Sequence, residues 1–223
     1  GVITGFGSVC VNGLEIEYDA ATPVDANGAP ADASALAIGQ VVVIEASEHR
    51  GTLHADRIAV RDAAVGPIER IDAARNEIAV LGQRVRIDPV TRIETAGDAP
   101  ALHRGDFVAV SGLRHEDGSI AATRVDAARP SGRVSVTGPI TEGTRGGASV
   151  GDLAVALPQG GIPAELRERI VLVIGSIDPN SGALRAERVD QGDDRVLGED
   201  RGHEDDGGAG VQVGLSALHG VGQ

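Results

Sequence analysis

Gly51-Thr52-Leu53-His54-Ala55-Asp56-Arg57-Ile58, Gly118-Ser119-Ile120-Ala121-Ala122-Thr123-Arg124-Val125 and Gly182-Ala183-Leu184-Arg185-Ala186-Glu187-Arg188-Val189 are one pattern written three times, G-x-[LI]-x-A-x-R-[IV]. The copies lie 67 and 64 residues apart, a period that marks a tandem array of small domains. Within each copy the apolar residues alternate with polar ones, so the stretch reads as a half-buried strand. Leu53 and Ala55, Ile120 and Ala122, and Leu184 and Ala186 share strand parity with Arg57, Arg124 and Arg188. Alternation therefore predicts that each inward-facing row reaches a barrel mouth at its Arg, Arg57, Arg124 or Arg188. There its stem covers apolar surface and its guanidinium holds backbone carbonyls or a carboxylate.

Outward from the pattern, each block repeats the same order. Val41-Val42-Val43-Ile44, Phe107-Val108-Ala109-Val110 and Ile170-Val171-Leu172-Val173-Ile174 are core strands that turn into the pattern. Ala35-Leu36-Ala37-Ile38-Gly39 and Ala101-Leu102-His103-Arg104-Gly105 precede the first two, and the former predicts one helical turn. Ala164-Glu165-Leu166-Arg167-Glu168-Arg169 replaces it in the third. Each block opens on Gly1-Val2-Ile3, Gly66-Pro67-Ile68 or Gly138-Pro139-Ile140. Asn12-Gly13 is a hairpin turn, and Ala20 to Ser34 reads as loop with room for a short strand. Arg133-Val134-Ser135-Val136 is an extra run ahead of the third block, read as a linker strand.

These elements predict an all-β chain of three tandem small five-stranded OB-like barrels, spanning 1–64, 65–129 and a divergent 130–191. Units of this size sit near the lower limit for an independent core and gain stability from their neighbours. From 192 to 223 follows an acidic Gly-rich linker with one orphan strand, Val211-Gln212-Val213-Gly214-Leu215.

The opening Gly1-x-Ile3-x-Gly5-Phe6-Gly7-Ser8-Val9-x-Val11-Asn12-Gly13 resembles a bacterial domain-of-unknown-function family of exported tandem β repeats. The A-L-x-x-G and G-x-[LI]-x-A-x-R-[IV] elements match that family over about residues 1–190, most strongly in the first two blocks. The resemblance implies small β-barrels in an exported protein, periplasmic or extracellular. It brings no catalytic residues with it.

The chemistry-bearing residues are sparse. The net charge of −13, with no Lys and only Phe6, Tyr18 and Phe107 as aromatics, opposes nucleic-acid binding by a basic groove and stacking platforms. No apolar run reaches membrane-spanning length. The absence of Met is read as removal of an N-terminal segment, which permits export. Arg and Ala richness without Lys points to a GC-rich genome. Single Cys10 rules out an internal disulfide and is expected to be a small buried apolar residue.

His49, His54, His103, His115, His203 and His219 show no metal spacing, and no nucleophile elbow, P-loop or dinucleotide fingerprint occurs. No cofactor, metal site or catalytic residue is expected. The tail carboxylates, Asp193 to Asp206, offer at most weak Ca²⁺ binding.

The expectation is a non-enzymatic exported structural protein that self-associates through strand edges, head to tail, into a fibre. Val211, Val213 and Leu215 are the candidate assembly strand. The alternative is a binding module presenting barrel loops to a protein, carbohydrate or small ligand.

Overall fold

The computed structural model describes residues 1–6, 8–95, 101–143, 147–192 and 210–213. The chain is all-β, and among the described residues its helical content is limited to single 3-10 turns at Ala33–Ala35 and Ala164–Leu166. It divides into two compact units, Gly1–Arg61 with the segment Asp193–Gln223, and Asp62–Gly192.

The first unit holds an eight-stranded sheet. Its strands are β1 (Ile3–Gly5), β2 (Val9–Val11), β3 (Leu14–Glu17), β4 (Val24–Ala26), β5 (Ala29–Ala31), β6 (Val42–His49), β7 (Thr52–Val60) and the C-terminal strand, β19 (Gly210–Val213). β1, β2 and β3 form an antiparallel meander. β3 then runs parallel to β7, and β7 antiparallel to β6. β6 returns to the chain start through the Val2–Val41 bridge and the reciprocal backbone bonds of Gly1 and Val42, both 2.8 Å. Asn12-Gly13 and Asn27-Gly28 both take positive φ at each residue, the twist that a two-residue hairpin needs. The second of these makes the 20–34 stretch a β4–β5 hairpin, where the sequence promised loop and one short strand. The predicted helical turn lies two residues earlier than Ala35. Asp32 caps it by accepting the Ser34 N–H at 2.8 Å, which leaves Leu36 extended and buried.

The second unit contains both remaining repeats in one eleven-stranded sheet. Its strands are β8 (Ala64–Asp72), β9 (Glu77–Val80), β10 (Gln83–Arg86), β11 (Arg92–Glu94), β12 (Phe107–Arg114) and β13 (Ile120–Ala127), then β14 (Val134–Glu142), β15 (Ala148–Val150), β16 (Leu153–Ala156), β17 (Ile170–Ile177) and β18 (Leu184–Gln191). In repeat 2 the pairings run β8–β9–β10–β13–β12 and back to β8. In repeat 3 they run β14–β15–β16–β18–β17 and back to β14.

The Arg133–Val136 run is no linker. Val134 to Val136 is the leading half of β14. It pairs with β17 on one edge and, through Ser135–Val65 and Val136–Ala64, with β8 on the other. That second pairing joins the two repeats, and one apolar cluster runs through both, from Ala64, Ile68 and Val85 to Val136, Leu153 and Leu184. A separate cluster of Ile3, Val9, Val11, Ile16, Ile44 and Ile58 fills the first unit.

Polar side chains complete the joint between repeats 2 and 3. Buried Gln83 donates from Nε2 to the carbonyls of Leu81 (2.9 Å) and Val150 (2.8 Å). Arg114 donates to Gly118 O at 2.8 Å and Thr137 O at 2.9 Å, and burial lowers its pKa. Thr137 Oγ1 donates to Asp62 O, while the Asp62 carboxylate accepts from Ser111 Oγ, both at 2.7 Å.

Two glycines mark where backbones pack most closely. A Cβ on Gly175 would strike the Arg185 carbonyl oxygen, and one on Gly112 the Ala121 carbonyl oxygen. Gly175→Ala should therefore lower the unfolding free energy by about 1–3 kcal/mol, the usual range for overpacking. Urea denaturation of the purified variant checks this; an unchanged midpoint would show that the strands separate without cost, as at Ala46, which holds the equivalent place in repeat 1.

Candidate functional site

The three copies of G-x-[LI]-x-A-x-R-[IV] lie on β7, β13 and β18, each the last strand of its repeat. Each copy contains a register shift at the same place. Ala46 faces Ala55 while Glu45 faces Arg57, Gly112 faces Ala122 while Ser111 faces Arg124, and Gly175 faces Ala186 while Ile174 faces Arg188. Asp56, Thr123 and Glu187 are the extra residues of three β-bulges.

The bulge overturns the inward orientation that plain alternation predicts for the Arg. Ile120 and Ala122 are buried, the bulge inserts Thr123, and the next buried residue is Val125 rather than Arg124. Leu184 and Ala186 are likewise buried, with Arg188 exposed and Val189 packed against the core. On β7, Ile58 is fully buried and Arg57 is exposed. An extra residue exchanges the two faces of a strand, so the [IV] of the pattern goes in and the Arg turns out.

Turned outward, each guanidinium meets a carboxylate. Arg57 donates from Nε (3.2 Å) and Nη2 (2.7 Å) to Asp25 Oδ2. Arg124 Nε donates to Asp126 Oδ2 at 2.7 Å, and Arg188 Nε to Asp190 Oδ1 at 2.8 Å. Repeats 2 and 3 thus use R-V-D along one strand. Repeat 1 has Ala59 at that place and takes its acid from β4 instead. Asp25 was not singled out by sequence. Its only signal is its place beside Asn27-Gly28, in the hairpin that β4 and β5 make.

Asp25 is buried, and a second guanidinium, that of Arg61, also donates to it. Burial alone raises its pKa. The hydrogen bonds from Arg61 and Arg57, the charge of Arg61 and the Gly28 N–H outweigh that and hold the carboxyl below its ordinary 3.8. A depressed carboxyl contributes stability that is complete above the unfolded value and is lost as pH falls through the folded one. Acidification from about pH 5 to about pH 3 should therefore lower the urea midpoint more for the native chain than for Asp25→Asn, and parallel loss in both chains would remove Asp25 from the account.

The second Arg contrast is burial. The Arg124 side chain is 13% exposed and that of Arg188 52%. Arg124→Ala should cost about 1–3 kcal/mol, whereas Arg188→Ala should stay within about 1 kcal/mol, because exposed ion pairs are screened. Equal losses in chemical denaturation would contradict that ranking.

Elsewhere the polar groups form only small clusters. Ser47 Oγ donates to Asp56 Oδ1 at 3.0 Å and lies 3.2 Å from His49 Nε2. The His49 and His54 rings stand 5.7 Å apart, and His54 Nδ1 lies 3.5 Å from Glu17. Acid and imidazole thus contact the same serine hydroxyl. Among the described residues no group of three or more His, Cys, Asp or Glu is arranged to hold a metal ion. His203, His219 and the acidic stretch Asp193 to Asp206 lie outside the described residues. Cys10 is a free thiol and only half-buried, because Val9 and Val11 take the inner face of β2. No helix among the described residues is long and apolar enough to cross a membrane.

The C-terminal strand has a definite place. β19 runs antiparallel to β6, with Gly210 opposite Ser47, Val211 opposite Ala46, Gln212 opposite Glu45 and Val213 opposite Ile44. Leu215 lies outside the described residues.

Compared with known proteins, the chain matches the family described as a domain of unknown function (DUF5666) in two tandem copies, residues 1–59 and 65–126. It belongs to that family. No curated protein and no solved structure matches it.

Proposed function

We propose that this member of the DUF5666 family is a non-enzymatic, exported structural protein built from three small OB-like barrels, of which, among the described residues, only the third keeps to the five strands expected from sequence. In this reading its C-terminal strand joins copies head to tail. Support for the barrels comes from the pairing order. In each repeat the first three strands form a meander, the third runs parallel to the last, and the last leads through the strand before it back to the first. That order supports the reading of each repeat as a small barrel of the Greek-key type. Export rests on the family resemblance.

The observation that carries the assembly reading is the pairing of β19 with β6. The strand reaches that edge after a linker of residues 193–209, whose extended length is at most roughly 60 Å. Chain of that length allows the same pairing on the edge of a second copy. Backbone hydrogen bonds made between chains instead of within one cost nothing extra per bond. Because donor strand and acceptor edge belong to different parts of the chain, the contact is heterologous and open-ended. The chain also lacks the edge lysines that blunt strand pairing.

Deleting residues 209–223 should abolish assemblies that the full chain forms on concentration, as seen by electron microscopy and sedimentation. A full chain that stays strictly monomeric at millimolar concentration would overturn the assembly reading.

A further inference from the structure

The three bulges provide a common ruler for the repeats. Ala46, Gly112 and Gly175 are equivalent because each faces the Ala of the shared pattern. Two residues earlier stand Ile44, Val110 and Val173. On their outer side these pair with Val213, Ala64 and Val136. Two residues earlier again stand Val42, Val108 and Val171, which pair with Gly1, Gly66 and Gly138.

In repeats 2 and 3 the two sets of partners belong to single strands. Ala64 and Gly66 are two residues apart on β8, and Val136 and Gly138 two apart on β14. In repeat 1 the corresponding positions are Val213 on β19 and Gly1 ahead of β1. β19 and β1 both run antiparallel to β6, so they lie in line and point the same way. The C-terminal strand thus occupies the place that the leading half of the first strand holds in the other repeats.

The match extends to pattern. Val134-Ser135-Val136 lies opposite Gly175, Ile174 and Val173, and Val211-Gln212-Val213 opposite Ala46, Glu45 and Ile44. Both are V-x-V. In repeat 3 both valines are buried, and in repeat 1 Ile44 and Ala46 at the acceptor positions are buried too.

From this equivalence we infer that the β6 edge from Ile44 to Ser47 is a strand-acceptor site for an extended V-x-V peptide. Its occupant is the C-terminal strand of this chain, held in the single register that makes it the missing half of the first strand. The inference deepens the assembly reading by naming the acceptor. It holds whether the strand comes from the same molecule or from a second copy.

Disulfide trapping in the full chain tests it, with Cys10→Ser removing the native thiol. Glu45→Cys combined with Gln212→Cys should form a disulfide under mild oxidation, and Ser47→Cys with Gln212→Cys should not. A link at Ser47, or at neither site, would overturn the inference. A mixture of the two singly substituted chains then reports the source of the strand. Covalent head-to-tail dimers support both readings, while a link confined to single chains leaves the acceptor site standing and overturns assembly alone.

A second variant tests the equivalence itself. Fusing Val-Ser-Val-Thr, copied from residues 134–137, directly ahead of Gly1 should fill the site and abolish the Glu45–Gln212 link. Persistence of that link at its original yield would show that the two strands do not share a site.

Discussion

Every repeat depends on one strand that is hydrogen bonded along both edges and carries a bulge at its centre. β7, β13 and β18 each run antiparallel to a long partner and parallel to the third strand of the meander. A regular strand in that position would place the Ala and the Arg of the pattern on the same face. The extra residue lets the first half bury Leu or Ile and Ala, and the second half bury Ile or Val, with the Arg between them on the opposite face, beside a carboxylate. Burying a guanidinium inside so small an aliphatic core would cost several kcal/mol. The bulge removes that cost and turns the Arg toward a carboxylate at the rim.

The same constraint accounts for the unequal glycines. Bulging brings the partner strand close to the carbonyl chain, and in repeats 2 and 3 the residue facing the Ala is Gly112 or Gly175. Around this common element the two units settle the rest differently. Repeats 2 and 3 share a sheet and a core. Gln83, Arg114 and Asp62 hydrogen bond to backbone and side-chain groups at that joint. In repeat 1 the edge that β14 covers in repeat 3 is covered by β19, which comes from the far end of the chain.

Among the charged residues, all three Arg of the pattern are engaged by carboxylates. The R-V-D arrangement of repeats 2 and 3 was written in the sequence two residues beyond each Arg. In repeat 1 the acid comes from Asp25, about thirty residues away along the chain, and only the fold of the β4–β5 hairpin brings it there.

By itself the sequence determined the repeat, its period, the all-β class, the hairpin turns and the family. These follow from local rules: alternation along a strand, positive φ at Asn-Gly, and self-similarity at a fixed spacing. It did not determine the face on which each Arg sits, because a bulge is a property of two paired strands and is invisible in either one alone. Nor did it show that repeats 2 and 3 share a core, or where the orphan strand lies. A strand's edge bonds with any backbone of suitable register, so its partner is chosen by which edges the rest of the fold leaves open. In this chain that choice made Val134–Val136 the joint between two repeats, and placed Val211–Val213 at the matching position of the first.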